Sequence, residues 1–139
     1  MTERDATCSC GQLVVHCSGE PGRVVMCHCS WCQRRTGSPF GVGAYFPRER
    51  VRVSGESRTF RRAAPEQRSL TNHFCPHCGS TVFWELDLSP GDFGVGVGSF
   101  TDPSFPAPAR SVWTQHRHAW VELPDGIEAH AAARPVPVG

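Results

Sequence analysis

Cysteines at short, regular spacings are the residues best suited to chemistry in this chain of 139 residues. Three groups contain seven of the eight cysteines: Cys8 and Cys10; Cys27, Cys29 and Cys32; and Cys75 and Cys78. Zinc favours such groups, because two or three sulfurs from one short segment can face a single ion. Cys17 stands alone in an alternating segment and is predicted to be a small buried side chain on a strand.

The pair Cys75 and Cys78 is followed by Gly79 and has the form of a zinc knuckle. A glycine at this point permits a positive φ angle, which lets backbone N–H groups approach the thiolates. The pair supplies two of the four ligands that tetrahedral zinc requires, so the others come from Cys8 and Cys10 or from the central group. We favour Cys8 and Cys10, because this choice completes one site and leaves three cysteines together.

The central group of Cys27, Cys29 and Cys32 then has one open ligand position. Closed four-ligand zinc sites are structural, whereas three protein ligands and an open position indicate a reactive site. We therefore predict two zinc ions per chain, one structural and one catalytic and labile. The alternative for the central group is a structural site completed by His28 or Cys17, and the alternative for Cys75 and Cys78 is a redox Cys-x-x-Cys.

The predicted chemistry of the central group is activation of a thiol. A thiol loses its proton when it binds zinc, and a sulfur-rich ligand set keeps the bound sulfur nucleophilic. Such a sulfur could attack an aldehyde or be released from the adduct. Arg34 and Arg35 follow the group directly and are predicted to offset thiolate charge or bind a substrate carboxylate, with a solvated surface pair as the alternative.

Aromatic and histidine side chains near the cysteines have less specific patterns. Trp31 is predicted to line the site or to pack in the core. His28 is predicted to be packed or outward-facing, with donation to a sulfur or transfer of a proton as the alternative. Core or sheet-face positions are expected for Trp84, Trp113 and Trp120. The run from His116 to His118 resembles an anion or metal patch, but alternating residues of an edge strand explain it equally well.

Short strands between turns must position these groups, since the chain contains 14 glycines and 12 prolines. The pattern predicts a mainly β fold in one zinc-binding domain over residues 1–128, with a flexible tail over 129–139. One helical turn is predicted at 30–35. The predicted strands are 12–18, 23–27, 40–46, 51–54, 58–62, 68–74, 81–86 and 93–100.

Composition narrows the partners and the compartment. The formal net charge is +1 and no long basic run is present, so nucleic acid is not an expected partner. No apolar stretch is long enough to be a signal peptide or to span a membrane, which favours a cytoplasmic protein. Thiols stay reduced in that compartment, so metal sites are expected instead of disulfides.

Order and spacing over residues 5–127 resemble a known family, the glutathione-dependent formaldehyde-activating enzymes, which also include centromere protein V. The motifs that carry the resemblance are Cys8-Ser9-Cys10-Gly11, Cys27-His28-Cys29-Ser30-x-Cys32-Gln33-Arg34-Arg35-Thr36-Gly37-Ser38, Phe74-Cys75-Pro76-His77-Cys78-Gly79-Ser80, Val95-Gly96-Val97-Gly98-Ser99-Phe100-Thr101-Asp102-Pro103, and the region from Val112-Trp113 to Trp120.

The resemblance implies a β-tent of packed antiparallel sheets stapled by zinc. It also implies the same division of cysteines into a structural group of four and a catalytic group of three. The implied activity joins glutathione and formaldehyde to S-hydroxymethylglutathione, a carbon–sulfur lyase reaction with a small thiol and an aldehyde as partners. The alternative is a non-catalytic zinc module that binds a protein or nucleic acid, as the name of centromere protein V suggests.

Overall fold

A computed structural model of the protein describes residues 1–64 and 68–134. The fold is mainly β, as predicted, with 13% helix. Two compact units are present: the first contains Met1–Arg23 and Ala44–Phe105, and the second contains Val24–Gly43 and the residues from Pro106 onward. The prediction of one domain over residues 1–128 stays a prediction.

The strands are short, as the frequent turn residues require. In chain order they are β1 (Glu3–Thr7), β2 (Val14–Ser18), β3 (Arg23–Cys27), β4 (Gly41–Pro47), β5 (Val51–Ser54), β6 (Arg58–Arg62), β7 (Leu70–Phe74), β8 (Thr81–Leu86), β9 (Asp92–Gly96), β10 (Arg110–Val112) and β11 (Glu128–Ala129). The α-helix α1 spans Ser30–Thr36, and 3₁₀ helices span Arg48–Arg50, Val97–Phe100 and Thr114–His116. No helix in the described part of the chain is long and apolar enough to cross a membrane.

The first unit contains a three-stranded sheet in the order β1-β2-β5, with antiparallel pairing throughout. Alternation along β2 buries Val15 and Cys17 completely and turns His16 outward. The ring nitrogens of His16 lie 2.6 Å from the Asp5 carboxylate and 2.7 Å from that of Glu3, which joins β2 to β1. The prediction that Cys17 is a buried side chain on a strand is confirmed.

A second group of strands in the first unit has the order β9-β8-β7-β6, and each adjacent pair is antiparallel. The predicted hairpin of β6 and β7 is present, although its loop at 65–67 lies outside the described residues. Strand β8 supplies three adjacent buried side chains, Val82, Phe83 and Trp84. This strand therefore anchors the core next to the segment that contains the last two cysteines.

In the second unit, β10 pairs in parallel with both β3 and β11. This unit therefore adds parallel pairs to the antiparallel pairing that the sequence analysis expected. Parallel neighbours need a crossover connection, and residues 28–109 separate β3 from β10 along the chain. Strand β3 leads directly into α1, so the central cysteines lie where the strand meets the helix.

Three differences from the predicted elements have a physical cause. The strand predicted at 93–100 ends at Gly96, because Val97–Phe100 forms a 3₁₀ helix that Thr101 ends with φ of 51°. Strand β1 was missed, because its charged, half-exposed sequence lacks an apolar alternation. At the predicted flexible tail, residues 130–132 accept backbone hydrogen bonds from residues 113–115, whereas 135–139 lie outside the described residues.

Gly94 of β9 lies directly opposite Trp84 of β8, and we predict that it tolerates no side chain. A Cβ atom at Gly94 would lie 2.2 Å from Nε1 of Trp84, the atom that donates a hydrogen bond to the Tyr45 hydroxyl. The variant Gly94→Ala should lose about 1–3 kcal/mol of unfolding free energy, measured by urea denaturation of the metal-loaded protein. The matched control is Gly91→Ala, where a Cβ meets no atom within 4 Å, and an equal loss in both variants would contradict the packing argument.

Candidate metal centres

The first candidate centre brings together two pairs of cysteines that lie far apart in the sequence. Cys8 and Cys10 follow β1, and Cys75 and Cys78 follow β7. Their four sulfurs all lie within 4.8 Å of one another, with 3.6 Å from Cys8 to Cys10 and 3.7 Å from Cys10 to Cys75. A tetrahedral zinc–thiolate site places its sulfurs about 3.8 Å apart, so this four-cysteine cluster fits zinc.

Glycines give both halves of the four-cysteine cluster their sharp turns. Gly11 follows Cys10 with φ of 84°, and Gly79 follows Cys78 with φ of 80°. Each glycine donates its backbone N–H to the carbonyl of the first cysteine in its pair, Cys8 at 3.0 Å and Cys75 at 2.8 Å. A Cβ atom would meet nothing within 4 Å at either glycine, so the positive φ, and not lack of space, requires glycine there.

Gln12 lies next to the four-cysteine cluster and joins it by hydrogen bonds to the backbone of Glu56. Its Nε2 donates to the Cys75 sulfur at 2.9 Å and to the Glu56 carbonyl at 2.8 Å, while its Oε1 accepts from the Glu56 N–H at 2.8 Å. Burial raises the pKa of Cys75, but hydrogen bonds from Gln12 and from the backbone N–H groups of Cys78 and His77 outweigh this effect and lower it. Gln12 therefore favours the thiolate form that a metal ion requires.

Serines stabilise the more exposed side of the same cluster. Hydrogen bonding with the hydroxyl and backbone N–H of Ser80 lowers the pKa of Cys78 to about 5. The Ser80 hydroxyl also accepts from the Ser9 N–H at 3.2 Å, which joins the two cysteine pairs. Cys8 and Cys75 are buried, whereas Cys10 and Cys78 are exposed, so the cluster faces solvent on one side.

The second candidate centre, the three-cysteine cluster, is assembled at the junction of β3 and α1. Cys27 ends β3, and Cys29 is the N-cap of α1, where its sulfur accepts from the Cys32 N–H at 3.4 Å. The three sulfurs lie within 4.8 Å of one another. Capping of the helix thus gives Cys29 a defined position and brings Cys32 to the same side.

The electrostatics of the three-cysteine cluster also favour a cation. The pKa of Cys27 is raised by its contacts with Cys29 and Cys32 and then by burial. A hydrogen bond with Cys27 lowers the pKa of Cys32, but Cys29 and burial raise it by more, so the net shift is upward. The positive charge of Arg35 acts against this rise. Adjacent thiols resist the loss of several protons unless a metal ion compensates their charge, so the donor set fits zinc.

No fourth protein ligand accompanies these three sulfurs among the described residues, 1–64 and 68–134. His28 is completely buried and forms a 2.9 Å hydrogen bond through Nε2 to the Ser111 hydroxyl, so it takes the packed position that was one of its predicted alternatives. Cys17 lies on β2 and joins neither cluster. The structure therefore favours neither of the two proposed fourth ligands.

The two arginines after the cluster differ in environment. Arg34 is exposed, whereas Arg35 is half-buried and its Nη2 passes Gly41 so closely that a Cβ atom there would lie 2.5 Å away. The positive charge of Arg35 acts to lower the pKa of Cys32, and the predicted role of Arg35 in offsetting thiolate charge or binding a carboxylate stays a prediction. Arg34 is oriented toward solvent and is available to a ligand.

Gln33 has a role that its sequence pattern did not predict: its side chain connects α1 to a segment far away in the chain. Its Nε2 donates to the His28 carbonyl at 2.8 Å and to the His116 carbonyl at 3.3 Å, and its Oε1 lies 2.9 Å from Nε2 of His118. Gln12 and Gln33 both follow a cysteine motif within two residues, and this recurrence is the only signal that the sequence offers for them.

The four tryptophans differ in how exposed they are, and the His116–His118 run does not have its predicted alternative structure. Trp84 is buried as predicted, but Trp120 is 72% exposed and lies in a turn outside every strand, so its predicted core or sheet-face position is wrong. Trp31 is 43% exposed beside the cluster, and Trp113 is half-buried. The run from His116 to His118 begins in the last residue of the 3₁₀ helix Thr114–His116 and is not an edge strand, because Trp113 turns the chain with φ of 58°.

Comparisons with known proteins extend this description. A family model described as glutathione-dependent formaldehyde-activating enzyme matches residues 3–116, which include both clusters. Among solved structures, a protein from Rhodobacter sphaeroides matches with a TM-score of 0.57 and 22% identity, over 71% of this chain and 91% of that chain. At this identity the structural match supports the fold alone. No curated protein matches the chain significantly.

We expect the protein to bind two zinc ions per chain, with one lost in Cys75→Ser and the other in Cys29→Ser. Cys17→Ala should retain both, since that side chain joins neither cluster. A mild chelator should first remove the ion lost in Cys29→Ser, because three protein ligands hold it instead of four. Elemental analysis with circular dichroism measures these outcomes, and retention of two ions in Cys75→Ser would contradict the assignment.

We also predict that Gln12→Met weakens zinc binding at the four-cysteine cluster by about 10- to 100-fold, as is usual when a partner of a metal ligand is removed. Methionine preserves the length of the side chain but cannot donate to the Cys75 sulfur. Competition with a chromophoric chelator measures the affinity. The control is Gln115→Met at an exposed position in the second unit, and equal affinities in the two variants would rule out the contribution of Gln12.

Proposed function

The chain belongs to the glutathione-dependent formaldehyde-activating enzyme family, and on this premise we propose that it is a zinc-dependent carbon–sulfur lyase. The proposed reaction joins a low-molecular-weight thiol such as glutathione to formaldehyde or a related aldehyde, or cleaves that adduct. The observation that carries the proposal is the cluster of three neighbouring sulfurs, from Cys27, Cys29 and Cys32. No fourth protein ligand accompanies them among residues 1–64 and 68–134.

We assign Cys27, Cys29 and Cys32 as the ligands of a catalytic zinc ion, and Cys8, Cys10, Cys75 and Cys78 as the ligands of a structural one. Zinc in the first group would lower the pKa of a substrate thiol bound at its remaining position and so supply a thiolate at neutral pH. The four-cysteine group has no such position, which supports its structural role.

The residues around the three-cysteine cluster would assist by charge and position. Arg35 offsets part of the charge that three thiolates and an incoming thiolate place in one small volume. The N-cap geometry of Cys29 fixes the cluster relative to α1, so an entering thiol meets a preformed site. Trp31 is partly exposed beside Cys32 and supplies an apolar wall there.

The bond changes are simple. The thiolate sulfur attacks the carbonyl carbon of formaldehyde, a carbon–sulfur bond forms, and the carbonyl oxygen accepts a proton to give a hemithioacetal. Reversal of the same steps returns the thiol and the aldehyde. No oxidant or reductant is required, so the chain needs only to hold and deprotonate the thiol.

We predict that Cys29→Ser abolishes catalysed exchange between glutathione, formaldehyde and their adduct. The expected fall is roughly 100-fold or more, because removal of a ligand exceeds the usual effect of removing a ligand's partner. Exchange NMR with isotope-labelled formaldehyde, corrected for the uncatalysed reaction, measures the rate, and circular dichroism verifies the fold. Cys17→Ala is the matched control with the same residue type changed outside both clusters.

The alternative of a non-catalytic zinc module has a different outcome. The unsubstituted zinc-loaded protein would then leave the exchange rate at its uncatalysed value. Cys29→Ser would impair folding or partner binding, and its exchange rate would also equal the uncatalysed value. That pair of results would refute the lyase proposal.

A further inference from the structure

The segment of residues 113–121 is attached directly to the helix that bears the three-cysteine cluster. Gln33, the residue after Cys32, donates to the His116 carbonyl at 3.3 Å and accepts from His118 at 2.9 Å. The same amide donates to the carbonyl of His28, which lies between Cys27 and Cys29. One side chain therefore connects the segment to the backbone of the cluster on both sides of Cys29.

The other side of the 113–121 segment is held by the backbone of residues 130–132. The N–H groups of Trp113, Thr114 and Gln115 donate to the carbonyls of Ala132, His130 and Ala131 at 3.1, 3.1 and 3.2 Å. Trp113 adopts a φ of 58°, which is costly for a tryptophan and persists only where the surrounding contacts fix it. The segment is thus a defined wall rather than a free loop.

Arg117 gives this wall a positive charge. Residues 24–43 and 106–121 contain no aspartate or glutamate. Arg117 donates to the Val121 carbonyl and, within the described residues, has no carboxylate partner. Arg117 lies between His116 and His118, the two residues of the segment that Gln33 contacts. Arg117 is therefore part of the segment that Gln33 attaches to α1, and its guanidinium is held by the Val121 carbonyl.

We propose that the 113–121 segment is the second wall of the thiol site and that Arg117 binds an anionic group of the substrate thiol. Gln33 is the positioning residue that keeps this wall against α1. The inference rests on the proposed function, since it requires a thiol at the open position of the three-cysteine cluster. A carboxylate suits Arg117, because the planar guanidinium pairs with it through two hydrogen bonds.

Thiol binding to the cobalt-substituted protein tests this inference without measuring turnover. Sulfur coordination changes the visible spectrum of Co²⁺, so a titration gives the dissociation constant of each thiol. Mercaptopropionate and mercaptoethanol are suitable probes, because only the first carries a carboxylate. Arg117→Ala should weaken mercaptopropionate about threefold to tenfold, the range for a solvent-accessible ion pair with charged hydrogen bonds, and leave mercaptoethanol within about twofold.

Three further variants separate a specific contact from general charge and test the positioning role of Gln33. Arg117→Lys should recover part of the affinity for mercaptopropionate, whereas Arg58→Ala, an exposed arginine on β6 in the first unit, should leave both thiols unchanged. Gln33→Met should reduce the preference for the anionic thiol although Arg117 is retained, with the cobalt content at the unsubstituted level. A preference that survives in Gln33→Met would refute its positioning role.

The outcomes distinguish this inference from the proposed function. Equal weakening of both thiols in Arg117→Ala, or no weakening of either, overturns the role of Arg117 and leaves thiol binding at the metal intact. If neither thiol changes the cobalt spectrum of the unsubstituted protein, the proposed function fails and this inference fails with it.

Discussion

Mutual repulsion of thiolates is the constraint on which this structure depends. Seven cysteines lie in two groups whose sulfurs are within 4.8 Å of one another, too close for several negative charges unless a cation compensates them. In the four-cysteine cluster, such a cation would also join segments that lie more than sixty residues apart, Cys10 and Cys75. The free energy of metal binding would then contribute directly to folding. A short β1 and an exposed β6 would be tolerable in this setting, because a metal ion bound at the cluster would supply stability that a small core does not.

The two clusters differ because different local structures build them. Positive-φ glycines turn each half of the four-cysteine cluster so that two pairs can close around one ion, and Gln12 and Ser80 add hydrogen bonds outside it. The three-cysteine cluster instead uses the end of β3 and the N-cap of α1. A helix N-terminus can orient Cys29 and Cys32 but brings no further sulfur, so the set stays at three. A metal ion bound there would therefore keep one position without a ligand from residues 1–64 and 68–134, and this is the basis of the proposed chemistry.

Sequence spacing predicted the two cysteine groups, the turn glycine Gly79 and the helical turn at α1, because each depends on residues close together in the chain. The outer contacts could not be predicted in this way. Gln12 meets Glu56 and Gln33 meets His118 only after distant segments approach one another. The exposure of Trp120 has the same origin, since an aromatic residue favours burial unless the path of the backbone carries it outward. The strand at 93–100 was overextended because alternating Gly and Val fits β pairing and a 3₁₀ turn equally well.

Gln12 and Gln33 make similar contacts, and this similarity links metal binding to the ordering of distant segments. Each glutamine lies within two residues of a cysteine group, and each uses both ends of its amide to hold a second segment: the Glu56 turn in one case and the His116–His118 run in the other. An ion that fixed the cysteines would also fix the backbone that carries each glutamine. Ordering of the distant segment would therefore accompany metal binding at the corresponding cluster. For the three-cysteine cluster, this coupling means that the wall bearing Arg117 would be most completely formed when the site is ready to receive a thiol, so that recognition of the thiol's anionic group and activation of its sulfur depend on the same ion.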